Sequence, residues 1–74
     1  MNYDYSKLRG KITEVCKTQE NFANLMGLST RTISLKLNNN IAFDQNEILL
    51  AVTVLGLKQS DIEKYFFTKK VEFN

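Results

Sequence analysis

Between Gln19 and Asn38 the chain reads Q-E-N-F-A-N-L-M-G-L-S-T-R-T-I-S-L-K-L-N, and the spacing of Ala23, Gly27 and Ile33 leaves few folds open. Two short helices cross closely at a steep angle only where a small side chain occupies the crossing, which Ala23 supplies. Four residues later the turn needs a positive φ, and Gly27 adopts it at least cost. Ile33 then faces the first two helices, and Leu37 supports it one turn on. This is the layout of a helix-turn-helix, a unit that commonly holds its second helix in the major groove of DNA.

The chain has 74 residues, enough for one small domain and too few for a second core. A hydrophobic share of 43% is too high for disorder. Proline is absent and glycine scarce, so connections are short and a mostly helical domain is expected. Cys16 is the sole cysteine; flanked by Ile12 and Val15, it reads as a small buried hydrophobe in a reducing compartment. With no histidine and one cysteine, neither a zinc site nor a Cys–His nucleophile pair can be assembled, and no cofactor or metal is expected. The start, M-N-Y-D-Y-S-K, lacks an apolar signal core, and no run approaches membrane-spanning length. A soluble intracellular protein is expected.

Five short helices account for the chain. Ser6 is expected to cap the first, which runs to about Cys16 with Leu8, Ile12 and Val15 as its apolar stripe. Thr18 caps the second, whose Phe22, Ala23 and Met26 turn inward before Gly27 ends it. Leu28 plugs back into the core, and Ser29 caps the third helix, which continues to about Asn38. The run Asn38-Asn39-Asn40 is a turn, since asparagine tolerates left-handed geometry. Asp44 caps a fourth helix carrying Ile48, Leu49, Ala51, Val52 and Leu55, and Gly56 stops it. Ser60 is expected to cap a fifth, with Asp61 and Glu63 in its first turn and Ile62, Tyr65 and Phe66 apolar. Residues 1–66 thus form the domain and 67–74 a tail. In the tail Phe67, Val71 and Phe73 share one parity, the period of a strand. No other strand is legible, so three fates stay open: pairing with its copy in a dimer, docking on the domain, or fraying.

The net charge of +2 is weak, but it is unevenly spread. Residues 1–40 hold six cations against three carboxylates, and residues 41–74 four against five. The positive half is the half with the helix pair, as a phosphate-facing surface requires. Rotating the third helix by about 100° per residue, with Ile33 inward, turns Arg31, Leu35 and Asn38 outward, flanked by Ser34 and Thr32. Arg31 suits two parallel hydrogen bonds to guanine, worth about 1–3 kcal/mol of discrimination. Leu35 suits a thymine methyl, Ser34 donates or accepts, and Thr30 lies near the helix start where base edges come close. Gln19 opens the second helix, whose free N–H groups favour a backbone phosphate. Lys36 is expected to run its stem along the core margin and deliver its ammonium to a phosphate.

These residues resemble the Cro and lambda-repressor-like (XRE-type) regulators of bacteria and phages. The resemblance is carried by Gln19, Ala23, Gly27, Leu28, Ser29 and the ending Ile33-Ser34-Leu35-Lys36-Leu37-Asn38, and more loosely by Phe43 through Leu57. It implies an all-α, lambda-repressor-like domain of five helices, acting as a homodimer on a double-stranded DNA operator, at least once on DNA. It maps base contacts to Ser29, Thr30, Arg31, Ser34 and Leu35, and backbone contacts to Gln19, Lys36, Asn38 and Asn39. The chain is similar to short Cro-like phage regulators that lack a second domain, although a leucine at position 35 departs from the polar or basic residue common there.

Two readings follow. The first is a sequence-specific repressor that inserts its third helix in an operator. The alternative is a protein-binding antirepressor or modulator on the same scaffold, favoured by the weak charge, by Leu35 and by the aromatics Tyr65, Phe66, Phe67 and Phe73. An enzyme is not expected: acid–base catalysis most often uses histidine, and Asp44, Glu47, Asp61 and Glu63 sit at helix starts where capping explains them.

Overall fold

Residues 2–71 are described by a computed structural model of the chain. Five helices follow one another: α1 (Ser6–Cys16), α2 (Gln19–Met26), α3 (Thr30–Leu37), α4 (Gln45–Leu55) and α5 (Ile62–Phe66), the last preceded by a 3-10 turn over Gln59–Asp61. The described residues form no sheet, so the all-α expectation holds.

The boundaries follow from caps. Thr18 Oγ1 accepts the Asn21 N–H at 3.0 Å and Ser29 Oγ the Thr32 N–H at 3.1 Å. Asp44 and Glu47 form a reciprocal capping box at 2.8 and 3.0 Å, each such cap worth about 1 kcal/mol. Gly27 ends α2 and Gly56 ends α4, both left-handed at φ 70° and 66°, where a Cβ is disfavoured. Asn39 also takes a positive φ, 65°, as expected of the asparagine turn.

Two helix starts differ from the sequence expectation. Ser6 is not a cap but the first helical residue, and Tyr5 holds the cap position without a side-chain bond. The capping group is Asp4, whose carboxylate accepts the Ser6 N–H at 2.9 Å and also its hydroxyl. A carboxylate two residues ahead reaches the free N–H as well as a serine would, and its charge suits the helix dipole. Those Ser6 bonds hold the Asp4 carboxyl below its usual range, with smaller help from Lys70 and Lys7. Likewise Ser60 does not cap α5 but lies inside the 3-10 turn, which Asp61 closes by accepting the Lys58 N–H at 3.1 Å.

The core gathers Leu8, Ile12 and Cys16 from α1, Phe22, Ala23 and Met26 from α2, Ile33 and Leu37 from α3, Ala51 and Leu55 from α4, and Phe66 from α5. Phe22, Ala23 and Ile33 are fully enclosed, so the small–flexible–branched spacing that opens the sequence places its side chains as expected. Val15 and Leu49, expected inward, are each 41% exposed. Val15 lies roughly 65° from the mean direction of Tyr5, Leu8, Ile12 and Cys16 at about 100° per residue, and Cys16 takes its place. Burial pushes the Cys16 thiol pKa up, which keeps it protonated and unreactive. Leu49 shares a solvent-facing edge of α4 with Leu50.

The tail finds a partner that no local pattern in the sequence discloses. Residues 2–4 run antiparallel to residues 68–70, bridging Tyr3 with Lys69. Asp4 N–H donates to Thr68 O at 2.7 Å and Lys70 N–H to Asn2 O at 3.3 Å. Within this one chain, the tail therefore lies docked on the domain through residues 68–70. Its period of two does not bury one face, since Phe67 and Val71 are 44% and 73% exposed; Phe73 lies outside the described residues.

Candidate interaction surface

The α2–turn–α3 pair is built from the local chemistry inherent in its residues. Leu28 N–H returns to Ala23 O at 3.0 Å and Gly27 N–H to Asn24 O at 3.2 Å, closing the end of α2. Asn21 Nδ2 reaches back to Cys16 O at 2.9 Å and ties the pair to α1. With Ile33 enclosed, the start of α3 faces outward. Ser29, Thr30 and Arg31 are exposed there, and Ser34, Leu35 and Gln19 are half-buried. Six of the nine expected site residues therefore share accessible surface on α2 and α3.

The other three make side-chain hydrogen bonds within the molecule. The expectation that Lys36 offers its ammonium to a phosphate does not hold: the residue is enclosed, only 5% exposed. Its Nζ sits 2.8 Å from Glu47 Oε1, donates to Ala42 O at 2.9 Å, and lies 5.8 Å from the Phe43 ring centre. The stem follows the core margin as expected, but the capping carboxylate of α4 captures the charged end. Asn38 Oδ1 accepts from Arg9 Nη2 at 3.0 Å, and the same nitrogen donates to Leu37 O at 3.3 Å. Asn39 brackets the Tyr3 peptide, accepting its N–H and donating to its C=O, both at 2.9 Å. Asn39 is thereby held within the fold, whereas Asn38 stays exposed with its Nδ2 3.5 Å from Ser34 Oγ.

Another accessible surface lies around α5. Phe43, Ile48, Leu49, Ile62 and Phe67 line an open apolar groove of about 330 Å³. Phe67 also borders a concavity lined by Lys7, Lys64 and Lys69, with Glu63 as its carboxylate. Edge-on ring contacts link Phe67 to Tyr3 at 5.6 Å, Tyr5 to Phe43 at 5.6 Å and Phe43 to Phe66 at 5.3 Å. By sequence alone Phe67 belongs to a tail whose aromatics suit a protein contact, and Phe43 enters only through the family resemblance. Phe67 directly follows α5, its N–H bonded to Glu63 O at 2.9 Å, so the packing of α5 on α4 brings it to the groove, and no local period signals that.

No cluster of metal-ligating side chains occurs among the described residues, and no described helix is long and apolar enough to cross a membrane.

The chain is similar to the modulator of repression (MOR) of the temperate bacteriophage TP901-1 from Lactococcus lactis, known from a solution structure. The two are 61% identical over 97% of each chain, with a TM-score of 0.81. No curated protein matches. A family model matches residues 1–69, and by that match the chain belongs to the family described as Protein of unknown function (DUF739).

Proposed function

We propose that this protein is a phage regulator that modulates repression by binding another regulator, rather than by occupying an operator alone. The observation that carries the reading is its close likeness to a phage modulator of repression. The charge distribution supports it. Between Thr18 and Asn40 the cations are Arg31 and Lys36, and Lys36 is neutralised by Glu47. Glu20 offsets what remains. A DNA reader typically neutralises about 6–10 phosphates, and one exposed arginine per copy supplies little of that. Bulky apolar groups are meanwhile exposed, among them Phe67 at 44% and Leu49 at 41%, a pattern that marks protein contacts. The reading is non-enzymatic, needs no cofactor, and places the protein in the bacterial cytoplasm with its partner.

The deciding experiment mixes the protein with the repressor from the same genome and measures complex formation by calorimetry and gel filtration, beside gel shifts on operator and random duplexes. A stoichiometric complex, with loss of the repressor's operator shift, is expected. Tight operator binding by this chain alone, with no repressor complex, would overturn the reading.

A competing reading keeps the resemblance to XRE-type helix-turn-helix repressors, and the joint exposure of Ser29, Thr30 and Arg31 at the start of α3 favours it. Two copies would then set this end of α3 in successive major grooves, about 34 Å apart. In vitro selection of bound DNA tests it: an inverted repeat supports it, and a sequence-independent yield rejects it.

A further inference from the structure

We propose that the partner docks in the apolar groove beside Phe67, and that the docking element is an acidic amphipathic segment: a bulky apolar side chain flanked by carboxylates. This rests on the reading that the chain binds another protein, and it names the surface and the chemistry that does so. Phe67 stands where two concavities meet. On one side Phe43, Ile48, Leu49 and Ile62 offer apolar walls. On the other, Lys7, Lys64 and Lys69 offer ammonium groups.

Charge decides the occupant. Lys7 and Lys69 have no ion-pair partner among the described residues, and Lys64 is only loosely faced by Asp61 at 3.8 Å. Asp4, near Lys7, spends its carboxylate on Ser6. Among the described residues Glu63 is the one acidic side chain lining the shelf, which gives these residues a positive excess. A further copy of this chain would bring lysines against lysines across a two-fold axis, which costs affinity. Duplex DNA would satisfy the lysines but gain nothing from the Leu49 and Ile62 walls. A segment with an apolar anchor and flanking carboxylates uses both sides.

The groove is held ready for it. Phe67 N–H is bonded to Glu63 O at 2.9 Å and its ring rests edge-on against Tyr3. Tyr3 is itself fixed by the Asn39 bracket. A wall ordered before binding loses less freedom on docking.

The test measures affinity for the repressor from the same genome by calorimetry, on the full chain, at about 50 and about 300 mM salt. Phe67→Ala and the pair Lys7→Glu/Lys69→Glu are compared with Leu25→Ser and Lys17→Glu, which lie away from the groove; circular dichroism melting confirms that each variant is folded. Each groove variant is expected to lose about tenfold or more in affinity, the charge pair less so at the higher salt, while the two controls stay within about twofold. Groove variants that bind like wild type, with Leu25→Ser or Arg31→Ala breaking the complex, would place the partner on α2–α3 and overturn the proposal alone. A wild-type chain that forms no complex would sink the functional reading and this proposal together. Lysine reversal that abolishes a duplex shift yet spares the repressor complex would make the shelf a phosphate site. A wild-type dimer in sedimentation that Phe67→Ala dissociates would make the occupant another copy of this chain. Either result overturns the proposal.

Discussion

The α2–α3 pair and the clasp of the two termini are built by opposite means. In the pair, every restraint is local: Thr18 caps three residues ahead, Gly27 turns, Ser29 caps again, and Ile33 drops into the core. In the clasp, residues 2–4 meet residues 68–70 across nearly the whole chain, and Asn39 reaches over to hold Tyr3. The helix pair has the spacing expected of a helix-turn-helix, yet one of its two cations, Lys36, is turned inward. The clasp has the sequence of a loose end, yet its Tyr3 ring supports Phe67 at the rim of an apolar groove. A motif therefore shows where a surface lies without showing which of its groups remain free.

If the pair is the rigid half, its core should dominate stability. Ile33→Ala removes a fully enclosed side chain and is expected to cost about 2–5 kcal/mol. Phe67→Ala, at a site 44% exposed, should cost well below that, about 1 kcal/mol. Thermal melting of the two variants checks it, since each kcal/mol shifts the midpoint by about 4–8 °C in a domain of this size. Equal losses would mean that the clasp is as much a part of the folding core as the pair.

The next largest effect concerns Lys36. Glu47→Ala leaves an enclosed ammonium without its carboxylate and also strips the α4 capping box. Loss of one partner of a buried pair costs about 3–5 kcal/mol; Glu47 is partly accessible, so about 2–3 kcal/mol is expected. Denaturant melts measure it, and Lys36→Met added to Glu47→Ala should recover part of the loss. In the same variants the salt dependence of any duplex binding should be unaltered by Lys36→Met. A slope flatter by about one unit would restore Lys36 as a phosphate contact.

Helix content, the caps Thr18, Ser29 and Asp44, and the stops Gly27 and Gly56 are legible in the sequence because each is set by neighbours within four residues. The enclosed set Phe22, Ala23, Ile33 and Leu37 is legible for the same reason, through helical period. Lys36 is half legible: its angle places the stem at the core margin, but Glu47 lies on another helix, and no local rule shows which carboxylate comes to meet it. Asp4 escapes notice as a cap because Ser6 satisfies the same pattern. The groove is illegible as a unit, since Phe43, Ile48 and Leu49 come from one stretch and Ile62 and Phe67 from another, and only the folded chain brings the two together.

Asn39 joins the two regions, so it offers a smaller and sharper test. Asn39→Gly keeps the left-handed turn at φ 65° but removes both bonds to Tyr3. Net hydrogen bonds of this kind are worth about 1 kcal/mol each, so about 1–2 kcal/mol is expected. Hydrogen exchange should locate the loss: the Asp4 and Lys70 amides should lose protection while the Ile33 amide keeps its own relative to the global melt. Uniform loss would show that the clasp and the helix pair open as one unit.

The smallest effect belongs to Asp4, and acid should reveal it. Its carboxyl is held below the ordinary aspartate value, first by the Ser6 hydroxyl bond, then by the Ser6 N–H, with minor help from Lys70 and Lys7. A depressed folded pKa means that the unfolded chain binds more protons over the window between the two values. The stabilisation is therefore complete above the unfolded value and disappears as pH falls through the folded one. Melting temperatures of wild type and Asp4→Asn, followed from about pH 6 down to about pH 2, should differ by a constant gap above about pH 5 and converge at the acid end. Asparagine caps a helix start too, which keeps the gap small and isolates the contribution of charge. A gap that persists to the lowest pH would assign the difference to side-chain geometry rather than to the ionised carboxylate, and would remove the electrostatic link between this cap and Lys70 of the clasp.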